Sequence, residues 1–270
     1  MTIPMNKIKL ALRKTHIFKP LKFLAALVGR STYPLPFATI VPVEPFLERA
    51  IARIGNDPVP DPDHRRRQFY SYFSEVWAEG YEDGLAQQYA AYLPHIPKGS
   101  PLPFLDIGCG AGEFVNFLNT HGIPAQGIDS DATEVARAKE RCLNVHHADA
   151  LSYLEAHHEC FSGISLIEVI EHLPPESLAS LLSAIYRALT PGGIVLLETI
   201  NIKNTLAFHT FYTDPTHTRP ISSDYLGFLM QWTNFAETQI IYTNPAAFTY
   251  EQHLDPSRAY FCYAIKGVKC

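Results

Sequence analysis

From residue 102 onward, short apolar runs alternate with longer runs in which apolar residues recur every three or four positions. That alternation predicts βαβ units winding a parallel sheet. PFLDI (103–107), AQGID (125–129), the NVHHAD stretch, GISLIEVI (163–170) and IVLLETI (194–200) read as five strands. Helices are expected over 112–121, 131–142, the ALSYLEAHH stretch and PESLASLLSAIYRAL, the last strongly amphipathic. HGIP and TPGG supply the glycines and prolines that end two of these helices. A long aromatic segment follows, read as a loop. After it come a helix over 222–232 and two β-rich runs, ETQIIYT and AYFCYAIKG, expected to pair antiparallel. The expected fold class is therefore α/β: a doubly wound, Rossmann-like, mostly parallel sheet with an antiparallel C-terminal strand pair, plus an N-terminal helical extension.

Upstream of the alternation the pattern changes. Residues 31–64 hold many prolines around one short helical piece, PFLERAIARI, and read as an irregular linker. The segment 65–93 looks helical again. Three regions result: a basic, proline-rich extension over 1–64, a helical lid or substrate-side segment over 65–101, and the main domain over 102–270. The first 43 residues contain no Asp or Glu but seven Lys and Arg, which leaves −12 on the rest of a chain of net charge −5. HIFKPLKFLAALVGR (16–30) mixes those cations with apolar residues. It is a candidate for contact with an anionic membrane surface or for a plain packing arm. No apolar run approaches the ~20 residues a membrane helix needs. The five cysteines form no CxxC pair, and their odd number fits a reducing compartment. A cytoplasmic protein is expected, with peripheral contact at the inner membrane surface as an option. The acidic main domain disfavours nucleic acid as a partner, and nothing in the sequence sets the oligomeric state.

The chemistry starts at LDIGCGAGEF (105–114), where the first strand turns into a helix. Gly108 permits the tight turn, Gly110 lets a ligand approach the backbone, and Gly112 allows close helix–strand packing. A ribose needs an acidic partner at the end of the second strand, and Asp129 stands there, followed by Ser130, at about the ~20-residue offset such sites use. The glycine spacing is GxGxG. A dinucleotide fingerprint would place glycine at 113, where this chain has Glu113. Asp106 and Glu113 would repel a pyrophosphate, whereas S-adenosylmethionine (SAM) brings a cationic ammonium and sulfonium. SAM is the cofactor these residues select, with Asp106, Gly108, Cys109, Gly110, Gly112, Asp129 and Ser130 around it. Asp149, after the third strand, is placed to hold the adenine amino group with Ala150 beside the ring, or to cap the next helix.

LDIGCGAGEF, GIDSD, HADAL, EVIEHLPP and LTPGGIVLLET resemble, in order and spacing, the class I SAM-dependent methyltransferases over residues 102–200. FYSYFSEVWAEG and LETINIKNTLAFHTFYTDPTHTRPISSDYLGFL are similar to a bacterial group encoded with surface-polysaccharide and glycan assembly enzymes. That resemblance implies O-methylation of a glycan or lipid-linked saccharide.

On the reacting side, EVIEHLPP brings Glu168, Glu171 and His172 to the carboxyl edge of the sheet, where ligands bind. YTDPTHTRP adds Asp214 and His217. Glu168 is assigned to the cofactor, and Glu171, His172 and His217 to catalysis. A sugar hydroxyl is a poor acid, so His172 or His217 is the candidate general base. In a metal-assisted variant, Glu168, Glu171, His172 and His217 hold Mg2+ or Zn2+. Their ExxEH spacing resembles that of small-RNA and ubiquinone-pathway O-methyltransferases. Phe208, Phe211 and Tyr212 are expected in a loop, where they could stack on an acceptor, and Tyr225, Phe228 and Trp232 in the core of a helix. Two alternatives stand beside glycan methylation: a quinol or phenol O-methyltransferase, and a SAM-binding scaffold without activity.

Overall fold

The computed structural model describes residues 82–246 and 255–270, together with isolated positions between 49 and 72. The chain divides into two compact units, Met1–Arg53 and Ile54–Cys270, and every element below belongs to the second. Expectations for the basic N-terminal stretch, for most of the linker and for the first part of the 65–93 segment lie outside the described residues. Arg49, Ala52 and Arg53 are helical, as are Gln68, Phe69 and Tyr72.

Seven strands form one sheet: β1 Phe104–Ile107, β2 Ala125–Asp129, β3 Val145–His147, β4 Phe161–Ile167, β5 Leu189–Ile200, β6 Phe235–Pro245 and β7 Tyr260–Lys269. Their spatial order is β3-β2-β1-β4-β5-β7-β6. The first five are parallel, and β7 pairs antiparallel with both β5 and β6. The expected doubly wound sheet with an antiparallel C-terminal pair is what forms. Because the order reverses between β1 and β4, a crevice opens there at the strands' carboxyl ends.

Two boundaries differ from expectation. β4 stops at Ile167, where Glu168 turns the backbone into the left-handed region (φ 54°). β5 begins five residues early, at Leu189. Phe161 pairs with Leu189 and the register then jumps to Gly163–Ile194, so the TPGG stretch is an irregularity within a strand.

Between residues 82 and 270 the described α-helices are α1 Glu82–Tyr92, α2 Glu113–Thr120, α3 Ala132–Glu140, α4 Ala150–Glu155, α5 Leu178–Ala188, α6 Thr205–Thr213 and α7 Ser223–Trp232. The alternation of strand side chains splits the core in two. Leu105, Ile107, Ile164, Leu166, Val195 and Leu197 cluster with the inner faces of α5 and α7. Phe104, Ile194 and Leu196 cluster instead with α2, α3 and Tyr89 and Tyr92 of α1. Leu178, Leu181, Leu182 and Ile185 of α5 follow the i, i+3, i+4, i+7 rule and are all buried. Each such side chain stabilises by roughly 1.5–3 kcal/mol.

Two expectations about aromatics are corrected. Residues 205–213 are not a loop: Asn204 accepts from the backbone N–H of Leu206 and Ala207 and caps a helix, α6, with Phe211 buried on its inner face. The spacing of Tyr225, Phe228 and Trp232 is helical, but the stripe faces outward, and Trp232 is 75% exposed. Leu226, Leu229 and Met230 form the buried face of α7 instead.

Candidate functional site

The glycine loop sits between β1 and α2, held by two bonds from Gly108 N–H and Cys109 N–H to the Ile128 carbonyl. A Cβ on Gly108 (φ 69°) would fall 2.5 Å from Val169 Cγ2, and one on Gly112 (φ 83°) 2.6 Å from Leu143 Cδ1. These two glycines are packing requirements. At Gly110 the same construction meets nothing nearer than Glu113 Oε2 at 4.0 Å. The backbone is therefore open to a ligand at the central glycine, as the motif implies.

Asp129 closes this cradle from the end of β2. Its Oδ2 accepts from Gly110 N–H and its Oδ1 from Asp131 N–H, both at 2.8 Å. A carboxylate offers about four lone-pair sites, so each oxygen retains capacity for a ribose hydroxyl. The exposed Ser130 follows, its carbonyl 3.0 Å from His147 Nε2. Asp149 caps α4, with Oδ1 accepting from both Ser152 N–H and Ser152 Oγ. These bonds lower its pKa and keep a negative charge beside Ala150.

Asp106 faces inward, accepting from Ser165 Oγ at 2.6 Å. Burial pushes its pKa up to about 7 despite that bond. Glu113 is paired with Arg141 Nη1 at 2.7 Å, and the same nitrogen donates to the Ala111 carbonyl. Neither carboxylate stands free at the rim. The carboxylate that meets the glycine loop is that of Asp129. Cys109 also differs: its side chain packs where a Cβ on Gly127 would be, so only its backbone can serve a ligand.

At the carboxyl end of β4, the turn after that strand meets the loop after α6. Glu171 and His172 lie on a single 3-10 turn, Ile170–His172. The Glu171 carbonyl accepts from Thr218 N–H (2.8 Å) and Thr218 Oγ1 (2.9 Å), which locks the two segments together. Glu171 is fully buried, and neither carboxylate oxygen makes a well-formed hydrogen bond; the polar groups that act on it are the Thr199 side chain and the Glu168 carboxyl. Burial raises its pKa to about 7.

Beside it, the two imidazoles are held by their Nδ1 atoms. Thr216 Oγ1 gives its single proton to Asp214 Oδ1 (2.6 Å) and so accepts from His172 Nδ1–H (2.9 Å). His217 Nδ1–H donates to the Phe211 carbonyl at 2.8 Å, while its ring stacks on that of Phe211. His217 Nε2 lies 3.7 Å from Asp214 Oδ2, beyond hydrogen-bond range. Both Nε2 atoms are thereby left with lone pairs. Ligand atoms of Glu171, His172 and His217 lie within 4.8 Å of one another. Burial first, and then the neighbouring His217 ring, lower the His172 pKa. The sequence places Glu168 in this set, but the structure does not. Its Oε1 accepts from Cys262 Sγ at 3.5 Å, and it clusters with Glu198 and Cys262. Burial of the carboxyl and then Glu171 push its pKa well up, although the residue keeps an open face toward the cleft.

Residues 77–240 match the family described as a methyltransferase domain. The chain belongs to this family. It is a SAM-dependent methyltransferase with a Rossmann-like fold. A solved SAM-dependent methyltransferase from Archaeoglobus fulgidus superimposes with a TM-score of 0.65 and 26% identity, over 74% of this chain and 100% of that one. Among curated proteins, a ubiquinone biosynthesis O-methyltransferase from Hydrogenovibrio crunogenus is 33% identical over 36% of this chain and 42% of its own length. A cyclopropane-fatty-acyl-phospholipid synthase from Escherichia coli is 29% identical over 51% of this chain and 37% of its own. The matches thus span about two fifths of the curated relatives' length. No helix among the described residues is long and apolar enough to cross a membrane.

In this methyltransferase Asp129→Ala should weaken SAM binding about 100-fold, the value of two charge-assisted hydrogen bonds. Calorimetry that returned an unchanged affinity would remove Asp129 from the ribose site.

Several participants escaped the sequence. Thr216, the relay between Asp214 and His172, is visible only once the loop is folded. Glu198 had a signal: an acid inside an otherwise apolar strand is a buried charge seeking partners. It accepts from Tyr92 Oη at 2.5 Å and from Gln88 Nε2, pinning α1 to the carboxyl end of β5. Asn244 Nδ2 in turn donates to Gln88 Oε1 at 2.8 Å.

Proposed function

We propose that this methyltransferase transfers the SAM methyl group to a hydroxyl oxygen, and that Glu171, His172 and His217 activate that hydroxyl around a divalent cation. One observation carries the reading: a fully buried carboxyl without a well-formed hydrogen bond, its ligand atom within 4.8 Å of two imidazoles whose Nδ1 atoms are committed elsewhere. A buried carboxyl left so costs several kcal/mol unless a ligand compensates it. The Phe211 carbonyl and the Asp214–Thr216 pair fix the imidazole tautomers, the outer support metal-binding histidines ordinarily have. These residues therefore fit a divalent cation, and their mixed O/N set does not choose among Mg2+, Mn2+ and Zn2+. When bound there, such an ion would lower the pKa of a coordinated hydroxyl.

The protein's own contribution is positional. The Gly110 cradle and Asp129 orient the donor from one side of the crevice. The 3-10 turn and the loop bearing His217 hold the acceptor oxygen opposite for in-line displacement. The single free lone pair of His172, on Nε2, would hold the cation when one is bound and would receive the hydroxyl proton when none is.

The acceptor we propose is a sugar hydroxyl of a glycan or lipid-linked saccharide, supported by the resemblance over 68–245. The ubiquinone-biosynthesis relative favours a second reading, a phenolic hydroxyl. Under either, exhaustive chelation should abolish turnover and an added divalent ion should restore it. Full activity in chelator would leave His172 as a metal-free base. Incubation with labelled SAM and separate saccharide and quinol acceptors distinguishes the two acceptors by mass spectrometry.

A further inference from the structure

The rings around the two imidazoles run outward as a continuous ladder. The His172 and His217 rings meet edge-on with centroids 4.6 Å apart, and His217 stacks on Phe211, also at 4.6 Å. Phe211 is buried, and its ring meets that of Tyr212 at 5.2 Å. Tyr212 ends the ladder in solvent, with 66% of the residue exposed. The other exposed aromatics among the described residues make their contacts elsewhere, Phe228 with Trp232 and Tyr225 with Arg219.

Two features prepare this ring to receive a ligand. Phe208, one helical turn back, meets it at 5.3 Å and 63°, and Phe211 meets it at 79°, so two edge contacts hold its orientation. A ring already held in place loses little freedom when a ligand covers it. Its position is also tied to the reacting groups. Tyr212 lies in the last turn of α6, two residues before Asp214, whose carboxylate holds Thr216 and through it His172. A ring resting on Tyr212 is thereby placed relative to His172 Nε2.

The ladder sets what can lie there. Two whole rings, those of His217 and Phe211, stand between His172 and Tyr212. The ring that presents its hydroxyl to His172 is therefore not the one that reaches Tyr212. We propose that Tyr212 stacks on a second ring of the acceptor, linked to the ring that carries the reacting hydroxyl. The C–H face of a neighbouring sugar and the flat face of a second arene share the chemistry that covers a tyrosine ring. This role rests on the hydroxyl-methylation reading above and narrows it to acceptors of two or more linked rings.

The test is internal competition with the full chain and labelled SAM. One vessel holds equimolar mono-, di- and trisaccharides, prepared by partial acid hydrolysis of the surface polysaccharide of the source cells. A second holds catechol and 4-phenylcatechol. Label per mole of each acceptor gives relative kcat/KM, and the vessel that takes label identifies the source of the second ring. There, two-ring acceptors should be preferred over one-ring acceptors by about tenfold, the order an aromatic contact supplies. Tyr212→Ala should lose that preference. Tyr212→Phe should keep it, because stacking needs the ring and not the hydroxyl. The position is exposed and alanine is the best helix former, so both variants should melt like wild type. Equal labelling of one- and two-ring acceptors by wild type, or a preference that survives in Tyr212→Ala, overturns the subsite and leaves the hydroxyl-methylation reading standing. If wild type labels neither class, that reading fails and the subsite falls with it.

Discussion

His172→Ala should lower turnover by about 10²- to 10⁴-fold, the range a positioned proton acceptor supplies, and leave SAM affinity nearly unchanged. The asymmetry follows from which residues build each half of the site. The donor cradle is made by Gly110, Asp129 and Asp131, and none of their bonds involves His172. On the acceptor side, the Asp214–Thr216 chain keeps the proton of His172 on Nδ1 and the lone pair on Nε2. Burial and the nearby His217 hold its pKa below the usual imidazole value, so the ring is neutral and ready to accept near pH 7. Activity should therefore fall on the acid side only below the ordinary imidazole range. Thr216→Val breaks the relay without touching either ring, and should shift that acid limb while costing part of the turnover. Equal losses of turnover and SAM affinity in His172→Ala would mark a structural histidine instead.

How far these residues could be read in advance depended on whether their signal was local. The strand–turn–helix at 104–120 and the acid closing β2 are set by neighbours in sequence, so their positions and roles were legible. α5 was equally plain, because four apolar residues at helical spacing leave little choice. Signals that depend on distant partners were not legible. Asp106 reads as a rim charge in the motif, yet its carboxyl pairs with Ser165, a residue 59 positions away. Glu113 looks free until Arg141 comes to it from the end of α3. The Tyr225–Phe228–Trp232 stripe misled for a related reason. Periodicity defines a face of a helix but not which face turns inward. On α7 that choice fell to Leu226, Leu229 and Met230, which fit the space over β7 and β6. In α6, aromatic content suggested a binding loop, while the cap from Asn204 outweighed it.

The buried acid at the centre of the site makes a second large effect measurable without any substrate. Without bound ligand, the protein should lose about 2–3 kcal/mol of stability through Glu171 between pH 5 and pH 7. The sign follows from the direction of the shift. Burial raises the folded-state pKa to about 7 from the ordinary carboxyl value of 4.5, so the folded protein holds this proton after the unfolded chain has released it. Above pH 4.5 the unfolded state is therefore increasingly favoured, and the penalty is complete once pH passes the folded pKa. Asp106, raised for the same reason, slopes in the same direction, and His172, whose pKa is lowered, slopes oppositely. Comparison with Glu171→Gln cancels both to first order and isolates Glu171 together with Glu168, whose pKa Glu171 raises. The variant should be more stable than wild type at pH 8, and the two should converge near pH 5 in denaturant melts. A saturating divalent cation should abolish the difference or reverse it, since it stabilises the carboxylate in the wild type alone. Parallel stability curves for the two proteins from pH 5 to pH 8 would show that Glu171 is ionised and compensated in the folded protein, and the reading of a buried acid awaiting a cation would fall.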